Sequence, residues 1–180
     1  MKNKMIAALA GAVLAASAGA ASAGTLTNAS VSLSNSNVSQ PTNVTARYTA
    51  ATALTTDDNL LIVRFTGLLL VNGACGADIT ITVNAAPLST AGLGYCDVFS
   101  GAEMQLRLGA GQSVPAGAVV QVVLNQSRAT TTAVTGTYSA PTFRTADLAG
   151  TTIDAPRDRA DLLHRRPSRP PPCRPWVNGR

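Results

Sequence analysis

Seven carboxylates lie between residues 24 and 156: Asp57, Asp58, Asp78, Asp97, Glu103, Asp147 and Asp154. Two carboxyl groups held about 5 to 9 Å apart can hydrolyse a glycosidic bond, one as acid and the other as base or nucleophile. Other catalytic chemistries lack their groups. A Ser-His-Asp or Cys-His site needs an imidazole, and the single histidine, His164, stands near the C-terminus. A Ser-Lys dyad needs a lysine, and the chain's lysines are Lys2 and Lys4. Neither Gly-x-Ser-x-Gly nor a P-loop occurs, and Gly109-Ala110-Gly111 reads as a turn between strands. Most of the carboxylates stand beside turn signals, where aspartate caps backbone groups and meets water. An enzyme is therefore not expected.

Asp57-Asp58-Asn59 offers hard oxygens to Ca²⁺. Three adjacent side chains do not match the alternating spacing of a calcium loop, so a solvated turn is expected, with no metal and no cofactor. Cys75 and Cys96 have 20 residues between them, and no His or Lys in residues 24–156 could lower a thiol pKa or complete a zinc site. In an oxidising compartment the natural reading is a 75–96 disulfide, which stabilises by about 3 kcal/mol in the chain-entropy model. Cys173 is then left to pair between chains or to stay free. Tyr95 and Phe99 lie near this pair and form a candidate interaction surface, and segments 66–77 and 84–97, tied by the same pair, read as surface loops. Sequons at Asn28, Asn37, Asn43 and Asn125 mark exposed polar segments.

The elements that position these residues read as strands. Ala29, Val31 and Leu33 alternate with serines, and Val44, Ala46, Tyr48 and Ala50 with Thr45, Arg47 and Thr49. The same period of two recurs at Ile79–Val83, Met104–Leu108 and Val120–Leu124, and Tyr138 and Phe143 close the series. Period two argues half-buried strands. Leu60–Val71 is nearly continuous, as in a buried strand pair, and too short for a membrane span. Asn72-Gly73, Gly92–Gly94 and Pro115-Ala116-Gly117 punctuate the runs, and Pro141 marks an edge, a bulge or the end of pairing. No stretch of the body holds helical spacing over three turns. The expected fold is all-β, an antiparallel sandwich of about seven or eight strands, with a small β-barrel as the alternative.

The two ends differ from this body. Lys2 and Lys4, the apolar run Met5–Ala16 and the small-x-small triplet Ala21-Ser22-Ala23 fit a cleaved export signal of bacterial style over residues 1–23. Residues 157–180 hold seven Arg, the only Trp and five of the ten Pro, and are expected to form a disordered tail. The formal net charge is +5, yet residues 24–156 carry five Arg against six Asp and one Glu, a net −2. A body without a basic stripe gives no electrostatic footprint for nucleic acid. The domain organisation is thus signal 1–23, β domain 24–156 and tail 157–180.

The blocks Val114–Asn125, Thr135–Tyr138, Thr145–Gly150 and Ile153-Asp154 resemble the strand–turn–strand units of immunoglobulin-like sandwich modules in bacterial secreted and surface-associated proteins. That resemblance implies a structural or adhesive module and carries over no catalytic residue. The chain departs from it in lacking an obvious repeat and a C-terminal sorting signal. The expected function is that of an exported, non-enzymatic structural or interaction module, extracellular, at the cell surface or in the periplasm. Its partner would be an envelope protein or polymer, without nucleic acid and without stable membrane insertion after signal cleavage. The oligomeric state stays open. A small-ligand or glycan-binding module and a hydrolase with paired carboxylates are the alternatives.

Overall fold

The computed structural model describes residues 23–71, 73–74, 76–99, 103–132 and 138–156. The expected signal and tail, with His164 and Cys173, lie outside the described residues, as does Cys75. Among the described residues there are thirteen strands and one 3-10 turn, Thr90–Gly92. The strands are β1 (Gly24–Leu33), β2 (Val44–Thr49), β3 (Asn59–Thr66), β4 (Leu68–Leu70), β5 (Gly73–Ala74), β6 (Ile79–Val83), β7 (Ala86–Leu88), β8 (Tyr95–Phe99), β9 (Glu103–Arg107), β10 (Val119–Leu124), β11 (Ala129–Thr131), β12 (Ser139–Ala146) and β13 (Thr152–Pro156).

Eleven of them form one curled sheet in the order β5-β8-β9-β3-β12-β13-β1-β2-β10-β6-β7, and β4 and β11 pair separately. The curl turns on β1. Its first three residues, Gly24–Leu26, run parallel to Asp154–Pro156 of β13, and the rest runs antiparallel to β2. A register shift separates Thr27 from Ser30, and Asn28 there has φ +52°. A bulge of this kind lets a strand bend and change partner, and asparagine tolerates the left-handed backbone.

The expected alternation is realised. Val44, Ala46 and Tyr48 on β2, Val120, Val122 and Leu124 on β10, and Met104 and Leu106 on β9 all point into the core. On β3 the residues from Asn59 to Val63 are all buried, beside a bulge against β9 that lets neighbours turn to one side. The two wings of the curl meet across this core. The Tyr48 ring meets the Phe143 ring of β12 edge-on at 5.8 Å and 85°, and its hydroxyl donates to the Leu60 carbonyl on β3.

Two expectations are corrected. Segments 66–77 and 84–97 are not open loops: they contain β4, β5, β7 and the start of β8, of two to five residues each. With β11 and β13 these carry the strand count among the described residues past seven or eight. Strands this short cannot display a full alternating period, and neighbouring chain supplies their hydrogen bonds. In the β6–β7 hairpin, Asn84 and Ala85 have φ +50° and +66°, the signature of a tight two-residue turn without the usual glycine. Asp154 differs from the carboxylates at turns in being 0% exposed. Pro141 does fall at a bulge, in the register shift of β12 against β3 between Ser139 and Thr142.

Candidate functional site

A catalytic site in this chain would rest on its carboxylates. Asp58 folds back on its own turn and accepts from the Thr55 amide at 2.8 Å and its hydroxyl at 3.1 Å. Asn59 points inward: its amide donates to the Asp147 carbonyl and its oxygen accepts from Gln105, both at 2.8 Å. The triplet Asp57-Asp58-Asn59 therefore does not converge on one point. Asp147 accepts from the Thr151 amide at 2.7 Å and closes the β12–β13 turn. Asp78 binds Arg128 Nε and Ser127 Oγ, each at 2.9 Å, and these hydrogen bonds, the arginine's first, hold its carboxyl below the usual range. Asp154 accepts from the amides of Ala51 and Thr52 and from the Thr52 hydroxyl, at 2.8 to 3.0 Å. These bonds shape turns and strand ends. Among the described residues no three His, Cys, Asp or Glu side chains group as a metal site.

The candidate surface at Tyr95 and Phe99 sits on β8, a paired strand. Its register against β9 sets Tyr95 opposite Arg107, Asp97 opposite Gln105 and Phe99 opposite Glu103. The Arg107 guanidinium lies 5.6 Å from the Tyr95 ring centre, within cation–π range, and the phenol stands 3.5 Å from Asp97. Burial first, and then the Asp97 charge, push the Tyr95 phenol above its ordinary value. The result is a polar strip with a partly covered aromatic ring, held by sheet hydrogen bonds. Cys96, between Tyr95 and Asp97, is half-buried, packs against the core and holds no free thiol.

A second feature was not read from the sequence. The β1–β2 and β10–β11 connections enclose an open cleft of about 510 Å³, lined by Asn35, Gln40, Pro41, Asn125, Gln126 and Ser127. One cross-link joins the connections, the Gln126 amide donating to Asn43 Oδ1 at 2.7 Å, and the Asn125 amide is held from outside them by the carbonyl of Asp78, just before β6, at 2.8 Å. The lining offers amide, hydroxyl and carbonyl groups, none of which ionises near neutral pH. Such groups suit a neutral polar ligand. Its two walls lie far apart in sequence, and each reads locally as turn punctuation. The turn residues Asn35-Ser36-Asn37 and the sequons at Asn37 and Asn125 were the signals that these segments are exposed. No family model and no curated protein matches the chain.

Proposed function

We propose that the protein is an exported, non-enzymatic structural or interaction module of the bacterial envelope or extracellular space. In this reading the curled sheet is an immunoglobulin-like β-sandwich, its two layers joined where β1 changes partner, as at the corners of packed sheets. The contact of Tyr48 with Phe143 and Leu60 supports two facing layers. A Cys75–Cys96 disulfide latches one edge: Ala74 pairs with Asp97, so the residue before Cys75 faces the residue after Cys96.

The observation that carries the functional reading is how the acidic groups are used. Asp58, Asp78, Asp147 and Asp154 each spend their oxygens on backbone or neighbouring side chains that hold the fold. The net −2 of residues 24–156 favours a protein or neutral polymer over nucleic acid as partner. Chemical cross-linking of the mature chain in envelope fractions tests this. Recovery of one envelope component, lost on Tyr95→Ala, supports it; no component above background refutes it.

A small-ligand or glycan-binding module is the second reading, favoured by the neutral polar cleft between Asn35 and Ser127. It predicts binding on a glycan array that Asn125→Ala and Gln126→Ala abolish. Silence across the array removes it.

A further inference from the structure

Asp154 is a carboxylate with no exposed surface. Three neutral donors reach it, from Ala51 and Thr52, and its own amide donates to Thr145 Oγ1 at 3.0 Å. Burying an ionised carboxylate without a counter-charge is costly even when it is hydrogen-bonded. Among the described residues the one ion pair is Asp78–Arg128, so no cationic side chain there balances Asp154. Tyr48 stays neutral, its phenol raised by burial and then by the Asp154 charge, and Arg144 on β12 directs its guanidinium to Gly150 and Thr152.

Gly24 lies directly against this carboxylate. The two residues are partners in the parallel β1–β13 register, and a Cβ at position 24 would stand 2.0 Å from Asp154 Oδ1 and 2.9 Å from Thr52 Oγ1. Any side chain there would overlap the buried acid, so position 24 must be glycine. Covalent geometry then limits the distance from the Gly24 nitrogen to Oδ1 to roughly 4.5 Å or less. The sequence places the signal cleavage between Ala23 and Gly24.

We propose that the α-ammonium of Gly24, created when the export signal is removed, is the counter-charge of the buried Asp154 carboxylate. The proposal rests on the export reading above. Cleavage consumes one water: the Ala23–Gly24 amide bond breaks, Ala23 leaves with a carboxylate, and the Gly24 nitrogen takes up protons to become an ammonium. In the precursor that nitrogen is a neutral amide, so the charge pair exists only in the processed chain. Removal of the signal thereby completes the interior of the fold as well as releasing it. The wrong start site would leave Asp154 unbalanced, which ties the cleavage position to the folded structure.

The test compares a chain beginning at Gly24 with one beginning at Ala23, each with Asp154 and with Asp154→Asn. The α-amine is titrated by NMR through a labelled first residue, and thermal midpoints are recorded from pH 6 to 10. In the Gly24 chain the α-amine is expected to titrate at least one unit above its ordinary value of about 7.7–8.0. A raised pKa means the stabilisation is full below that ordinary value and is lost as pH rises through the folded-state pKa. Asp154→Asn and the Ala23 start should each return the titration to its ordinary range, and their effects on the midpoint should not add. An ordinary pKa in the Gly24 chain, or additive effects, overturns the ion pair. If Asp154→Asn does not fold, the titration of the two parent chains decides alone. The mass of the secreted protein separately tests the export reading: a different start site refutes that reading and leaves the Gly24 chain to decide the ion pair.

Discussion

Replacing Tyr48 by phenylalanine removes one oxygen from the middle of the core and keeps the edge-on ring pair with Phe143. Tyr48 is 0% exposed and its hydroxyl donates to the Leu60 carbonyl, so the variant leaves a buried acceptor without that donor. The loss at neutral pH should be about 1–2 kcal/mol, a fall of about 4–8 °C in Tm for a domain of this size. Alkaline pH should reverse the order. Burial, with the Asp154 charge second, raises the Tyr48 phenol far above its ordinary 10.0. A raised phenol contributes stability that is full below the unfolded-state pKa and lost as pH rises beyond it, because only the unfolded chain then releases the proton. The wild type should therefore lose about 1.4 kcal/mol per pH unit above pH ~10 from this group, and the variant should not. The two stability curves should meet roughly one unit higher, near pH 11. Urea midpoints for both proteins at pH 7, 9, 10 and 11 measure this. Parallel curves across the range would refute the placement of the Tyr48 hydroxyl in a dry core between the two wings.

Gly67 joins β3 to β4 at φ +84°, and a Cβ there would stand 2.7 Å from the Tyr138 ring; Gly67→Ala should destabilise by about 2–3 kcal/mol, measured by denaturant titration. Ala85 holds φ +66° in the β6–β7 turn, so Ala85→Gly should stabilise by about 0.5–1 kcal/mol, and a midpoint at or below wild type would contradict that turn. The Asp78 carboxyl, lowered by its hydrogen bonds from Arg128 and Ser127, should titrate below the ordinary aspartate range by NMR. Its contribution is present above the ordinary aspartate pKa and is lost as pH falls through the lowered one. Arg128→Gln should move the titration upward.

The gaps in the sequence reading have a common cause. The alternation at Val44–Thr49, Glu103–Arg107 and Val119–Leu124 was legible because each run spans several residues with one face buried. β5 and β7, with two and three residues, offer no such pattern, and they exist because β8 and β6 supply their partners. The polar cleft was hidden because its walls come from residues 35–41 and 125–127, which meet only in space. Tyr95 was singled out for its place beside Cys96, and what the strand register added was its company: Arg107 over the ring and Asp97 at the hydroxyl.

Local chemistry along the chain was enough to determine an all-β body with acidic groups at its turns, because period-two burial and turn preferences act over a few residues. Partner choice was not local. Whether β1 runs beside β13 or β2, and why Gly24 and Asp154 need each other across the chain, depended on which segments come together when the sheet curls. Close approach of backbone to a buried charge is a property of packing, and one strand read alone carries no trace of it.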